Sequence, residues 1–171
     1  MGIPVELRPV GEADLDHLLA FFTEEGLAGE FQWFGYRVGH AADLRRRFTE
    51  DGLVGAEQSF LAVVVDDGVC AGWVSWRPAG SHGNWEIGAA LFPEFRVRGI
   101  GTEAQRRLVR YLFDVTPAQR IEAGTEVDNL AEQRALEKAG FRREGVRRGA
   151  YFRAGRWRDS LMYGLTRDDN E

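Results

Sequence analysis

Residues 89–108 read AALFPEFRVRGIGTEAQRRL. Trp85 to Phe92 has the composition of a strand, and Pro93 closes it because proline has no N–H for a sheet ladder. From residue 101 to about 114 the apolar side chains Ala104, Leu108 and Leu112 recur every fourth position, the stripe of an amphipathic helix. Gly99 and Gly101 stand between strand and helix. A helix start has unpaired N–H groups and a partial positive charge, and glycine there lets an anion approach the backbone closely. Arg96 and Arg98 add cationic donors beside the turn. The spacing lacks the third glycine of a dinucleotide fingerprint and the Gly-Lys-Ser/Thr of a P-loop. Taken alone, the stretch fits both a phosphate-holding turn and a plain helix start.

On either side, strand-like and helix-like segments alternate, which predicts a mixed α/β (α+β) domain. Val5 to Pro9 reads as a strand. Residues 12 to 25 read as a helix burying Leu15, Leu18, Leu19 and Phe22. Phe31, Trp33, Phe34 and Tyr36 form an aromatic cluster without clear periodicity, and residues 41 to 51 are helical with Gly52 as the stop. Ser59 to Val65 and Val69 to Arg77 pair about an Asp66-Asp67-Gly68 turn. Cys70 lies inside the second of these strands and reads as a small buried hydrophobe. Arg120 to Val127 is a strand, and Asn129 to Ala139 is a helix ended by Gly140. Phe141 to Arg148 and Trp157 to Leu165 close the chain as an antiparallel pair turning at Ala154-Gly155. No repeat, low-complexity tract or linker divides the chain, so one domain over 1–171 is expected.

The 22 cationic residues against 27 acids give a net charge of −5, and Lys138 is the single lysine. Seven carboxylates stand against one cation between Glu6 and Glu30, and seven arginines against one acid between Arg142 and Arg158. The arginine run reads either as a solvated strand face or as an anion site, but a net negative chain makes a broad nucleic-acid footprint unexpected. One cysteine excludes an internal disulfide, and His17, His40 and His82 lack metal-site spacing. No apolar run is long enough to cross a bilayer, and no basic-then-apolar leader opens the chain. A soluble, cytoplasmic protein without a membrane partner or bound metal is therefore expected.

Arg96-Val97-Arg98-Gly99-Ile100-Gly101 resembles the Q/R-x-x-G-x-G/A signature of the GNAT N-acetyltransferase superfamily. The block from Asn129 through Arg134 and Lys138 to Gly140-Phe141 resembles the N-x-x-S-x-R-x-x-E-K-x-G-F pattern of its RimJ/RimL-type branch, as does the tail from Arg143 to Tyr163. The resemblance implies a GNAT fold: a twisted, mixed but mostly antiparallel sheet of about seven strands, flanked by about four helices. It implies acetyl-CoA as acyl donor and an amine as acceptor. The N–H groups of Arg98, Gly99, Ile100, Gly101 and Thr102 are then expected to hold the CoA pyrophosphate. Leu91 and Phe92 are expected to pair with the pantetheine amides, and Asn129 to hydrogen-bond the same arm. Arg134 or Lys138 is expected near the adenosine 3′-phosphate, although both also read as a solvated helix face. Where the branch carries Ser, this chain carries Glu132, which is expected to point outward. A tyrosine that serves many members as proton donor is also missing, with Leu136 in that stretch.

Acetyl transfer needs a neutral amine, although a free alkylamine has a pKa of roughly 10.4. It also needs a stabilised oxyanion and a tolerated thiolate. Glu86, on the strand that leads to the glycine turn, is the favoured general base, acting through water; its alternative is a structural carboxylate. Asp159 and Tyr163 are secondary catalytic candidates, and Asp159 also reads as the partner of a nearby arginine. Phe31, Trp33, Tyr36, Trp76 and Tyr151 are the expected acceptor lining. The competing readings are a non-catalytic acyl-CoA-binding module, a nucleic-acid binder, and an enzyme that uses a longer acyl group such as succinyl. Exposed C-terminal strands make a homodimer plausible.

Overall fold

The computed structural model describes residues 3–24, 27–31, 41–66, 68–80 and 83–170. Its elements are β1 (Val5–Pro9), α1 (Glu12–Thr23), α2 (Ala41–Asp51), β2 (Ser59–Val65), β3 (Val69–Ala79), β4 (Asn84–Leu91), α3 (Ile100–Val115), β5 (Arg120–Glu126), α4 (Leu130–Ala139), β6 (Arg142–Arg153) and β7 (Arg156–Thr166). The seven strands form one sheet in the order β1-β2-β3-β4-β5-β7-β6. Every neighbouring pair is antiparallel except β4 and β5, which are parallel. The expected mixed, mostly antiparallel sheet with four helices is therefore present. Among the described residues no helix is long and apolar enough to cross a membrane.

Side-chain alternation gives the sheet two apolar faces. One is covered by α3, whose Ile100, Ala104, Leu108 and Leu112 pack on Val63, Val74, Trp76, Ile87, Ile121 and Tyr163. The other carries Phe60, Trp73 and Ala90 and receives Leu15, Leu18 and Phe21 of α1. The sequence stripe on α1 is rotated by one position: Phe21 is buried, while Leu19 and Phe22 are only half-buried. Asp14 sets that rotation. It is itself buried, takes both guanidinium nitrogens of Arg8 at 2.5 and 3.0 Å, and accepts Gly11 N–H at 2.7 Å. The Arg8 hydrogen bonds hold its carboxyl below the usual range.

Two bends shape the central strands. Gly72 has φ +147°, and a Cβ there would meet the Ala90 carbonyl at 2.1 Å, so only glycine allows β3 and β4 to approach at this point. The β2–β3 register slips between Val63 and Val64, directly opposite. Arg167 clamps the far end of α3, donating to the carbonyls of Phe113, Thr116 and Ala118 at 2.8 to 3.1 Å.

Candidate active site

β4 and β5 pair over three residues only: Trp85 with Ile121, Glu86 with Glu122, and Ile87 with Ala123. Beyond them β4 stays with β3 as far as Leu91, and β5 stays with β7 as far as Glu126. Two strand edges are thus left facing each other with no strand between them. Peptide groups on such edges are suited to an extended, amide-bearing ligand, which can complete the ladder on either side.

A cavity of about 510 Å³ fills this opening. Gly88, Ala89 and Ala90 form one wall; Gly124, Thr125 and Glu126 form the other. Asn129 and Glu132 close it from the start of α4, while Phe22, Phe31, Phe60, Trp73 and Tyr151 supply an aromatic flank. A side chain at Gly124 would press on the Tyr151 hydroxyl at 3.3 Å, so the bare backbone there makes room for the phenol. The Glu126 carboxylate is buried and takes a two-pronged contact from Arg153 at 2.7 and 2.8 Å. The Arg153 guanidinium also lies 5.3 Å from the centre of the Phe31 ring.

Asn129 caps α4: its Oδ1 accepts the Glu132 N–H at 3.3 Å. Glu132 points inward, correcting the outward orientation expected from sequence. Its Oε1 accepts Gln105 Nε2 from α3 at 2.9 Å. Burial pushes the Glu132 carboxyl up to about 7, against the smaller opposing pull of the Gln105 hydrogen bond. Leu136, one turn further on, is buried, so the two share the inner face of α4.

The glycine turn leads from the same opening into α3. Gly99 caps that helix with φ +80°, and Val97 holds φ +60°. Two left-handed residues so close together curl the backbone into a concave turn. A Cβ at Gly99 would meet nothing within 4 Å, so the approach to the first N–H groups of α3 is open. Gly101 has only the Leu91 methyl near its missing Cβ, at 3.6 Å. A sixteen-residue helix with its exposed start beside a strand opening therefore fits a phosphate joined to an extended arm.

The comparisons agree with that geometry. Residues 5–142 match the acetyltransferase (GNAT) domain family. The chain belongs to this family. It is 40% identical over 85 residues to the probable N-acetyltransferase YjcK of Bacillus subtilis (strain 168), covering 50% of this chain and 47% of that protein. The match thus spans about half the length of that relative. A spermidine N-acetyltransferase from Vibrio cholerae, solved with CoA and spermine, superposes with a TM-score of 0.84 at 18% identity, covering 97% of each chain. RimL, a ribosomal L7/L12 alpha-N-protein acetyltransferase solved with CoA, gives a TM-score of 0.81 at 19% identity, covering 96% of this chain and 95% of that one. At these identities the structural likeness establishes the fold alone.

Within this GNAT domain several expected residues sit elsewhere. Arg96 turns two of its three guanidinium nitrogens onto the backbone. Its Nε donates to the Leu91 carbonyl at 2.9 Å and its Nη2 to the Leu27 carbonyl, so it ties the turn to the segment after α1. The Leu91 carbonyl is thereby occupied, and the Phe92 N–H donates to Ala71 of β3 at 3.0 Å. On β4 it is Gly88, Ala89 and Ala90 that form the cavity wall. Ile100 contributes its backbone only, because its side chain is buried under the sheet; Arg98 is exposed beside it, and Gly101 and Thr102 follow on the first turn. Arg134 and Lys138 are exposed on α4.

The three catalytic candidates are also placed away from the cavity wall. Glu86 is the ion-pair partner of Arg77 at 2.9 Å, with Glu122 beside it in register. Asp159 accepts Gly149 N–H at 2.8 Å and bridges an irregularity between β6 and β7. Tyr163 lies in the core on the α3 face, donating to Glu137 at 3.3 Å, and burial together with the Glu137 carboxylate pushes its phenol up, making it a poorer acid. Trp76 is buried against Tyr111 of α3, with ring centres 6.0 Å apart, and does not line an acceptor site. The strand parity was misassigned there: Trp73 faces the cavity. Phe31 and Tyr151 do line it. Trp33 and Tyr36 lie outside the described residues. Sequence reading missed Thr125 and Glu126, for which the end of a strand opposite the glycine turn is the only signal, and the inward turn of Glu132, which Leu136 at i+4 foreshadows.

Proposed function

We propose that this protein is an acetyl-CoA-dependent N-acetyltransferase of the RimJ/RimL-type branch. It passes the acetyl group directly to a primary amine, a protein N-terminus or a small molecule, within a ternary complex. The observation that carries this reading is the continuity of three features: an open α3 start, two unpaired strand edges and a cavity with an aromatic flank. The backbone of Arg98 to Thr102 would hold the pyrophosphate, the edges of β4 and β5 the pantetheine arm, and Asn129 its amide groups. When bound, acetyl-CoA supplies an activated acyl carbon. The chain's part is to orient that carbon, shield it from water and accept protons.

Direct transfer suits the lining. Among its described residues Ser75, Thr125 and Tyr151 carry hydroxyls, but no histidine stands by to activate them and no cysteine is present. On the described lining Glu126 is paired with Arg153 and Arg77 with Glu86, whereas Glu132 has no cationic partner, which favours a cationic acceptor over an acyl donor bearing its own carboxylate. The spermidine and ribosomal-protein acetyltransferases of similar fold frame the acceptor panel: polyamines and peptides with a free N-terminus. Calorimetry with CoA and thiol-release assays across that panel test the reading. Micromolar CoA binding with thiol release on at least one amine is expected. Tight CoA binding with no turnover on any amine would leave a non-catalytic binding module.

A further inference from the structure

We propose that Glu132 is the proton carrier of the reaction, taking a proton from the attacking amine and returning it to the departing thiolate. The inference rests on the acetyl-transfer reading above and deepens it. Three observations support it. First, Glu132 forms part of the wall of the cavity where the β4 and β5 edges part, opposite Gly88 to Ala90. Second, of the two carboxyl groups on the described lining, Glu126 is committed to Arg153, whereas Glu132 has a neutral amide as its partner. Third, that amide suits a carboxyl that changes protonation state. Gln105 is buried, its Nε2 donates to ionised Glu132, and its Oε1 is buried without a hydrogen-bond partner. A half-turn of the amide would offer Oε1 to the O–H of protonated Glu132, so one side chain satisfies both forms.

Among the described residues no cation lies within ion-pair distance of Glu132, and Arg77, on the same lining from β3, is paired with Glu86. From α3 it meets Gln105, which is neutral. β5 brings Glu126 to the same wall, already paired with Arg153 of β6. From β7 the Tyr163 phenol senses its charge, and the Arg143 guanidinium senses the same phenol. Burial accordingly raises the Glu132 carboxyl to about 7, where a base is ionised yet still able to hand the proton on.

The step balances as follows. The acceptor ammonium sheds one proton to water. As the C–N bond forms, ionised Glu132 takes the second proton from nitrogen. The C–S bond breaks with its electron pair on sulfur, and Glu132 gives its proton to that sulfur. The thiolate, whose conjugate thiol has a pKa of roughly 8.5, takes it from the more acidic carboxyl. The amide and the free thiol leave, and Glu132 is ionised again.

Glu132→Gln in the full chain tests this, because it keeps the shape and a partner for Gln105. The probes are acetyl-CoA with spermidine and with a short peptide bearing a free N-terminal serine. The expected result is a fall in kcat of about a hundredfold or more with the KM for acetyl-CoA within about twofold, and loss of the acidic limb near neutrality from the pH profile. A second readout needs no turnover: the infrared band of a protonated carboxyl should titrate near pH 7 in the wild type and be missing from the variant. A folded variant, melting no lower than the wild type, that keeps kcat within about threefold and keeps the limb overturns the inference while leaving the acetyl-transfer reading intact. Absence of the titrating band overturns it as well. A wild type that binds CoA but acetylates neither amine overturns both.

Discussion

Glu132 also sets how stability depends on pH. An unfolded glutamate ionises near 4.5, and this one does so in the fold near 7. Below the lower value it is protonated in both states and takes nothing from stability. Between the two it is charged only when unfolded, so stability falls as pH rises, and above 7 the whole penalty is in place. That penalty is at most about 3 kcal/mol. Glu132→Gln removes it, so the variant should melt about 6 to 12 °C above the wild type at pH 8, with the gap shrinking severalfold by pH 5. Thermal scans at the two pH values check this, and equal melting temperatures at pH 8 would contradict a penalised carboxylate. Asp14 has the opposite sign: its folded value is depressed by Arg8, so its contribution is present above the unfolded value and is lost only as acid carries the pH below it.

At the scale of elements, the α3 start separates binding from folding. Gly101 is the second residue of that helix, and a Cβ there would sit in ordinary contact with the Leu91 methyl at 3.6 Å. Gly101→Asp replaces a poor helix former and puts a carboxylate where the helix dipole favours it. The melting temperature of the free protein should hold or rise. The same carboxylate stands where a pyrophosphate would approach, so the Kd for CoA should weaken by tenfold or more. Calorimetry beside a thermal scan reads both, and a loss of stability with unchanged affinity would place the phosphate elsewhere. Elements of this kind were legible in sequence because their periods are strong: the i+4 stripe of α3, the glycine after α4 and the hairpin turns all reappear. What periodicity could not supply was parity and partnership. Trp73 and Trp76 both sit on β3, and which of them faces α3 depends on the bulge at Gly72. Arg96 matched a phosphate signature by position, yet its guanidinium is claimed by two carbonyls, one of them a distant residue that no local pattern exposes.

For the molecule as a whole, the net charge of −5 conceals a division of labour. Several arginines of the C-terminal run are spent on carboxylates: Arg142 on Asp169, Arg153 on Glu126 and Arg158 on Asp128. Arg143, Arg147, Arg148 and Arg156 of the same run stay exposed along β6 and β7. The sheet itself is joined at its middle by the three-residue pairing of β4 with β5. Beyond that seam its two halves are held together by α3 and α4 packing beneath them, and a ligand arm lying between the edges would add a ladder to each. Saturating CoA at a hundred times its Kd should therefore add about 2.7 kcal/mol of stability, or about 5 to 10 °C in melting temperature. Hydrogen exchange locates the effect. CoA should slow exchange at Gly88 to Leu91 and Gly124 to Glu126 as well as at the first turn of α3. A 3′-phosphorylated adenosine diphosphate, which keeps the phosphates but lacks the arm, should slow exchange at the first turn of α3 alone. If both ligands protect the same residues, the strand edges do not hold the arm, and the opening between β4 and β5 belongs to the acceptor instead.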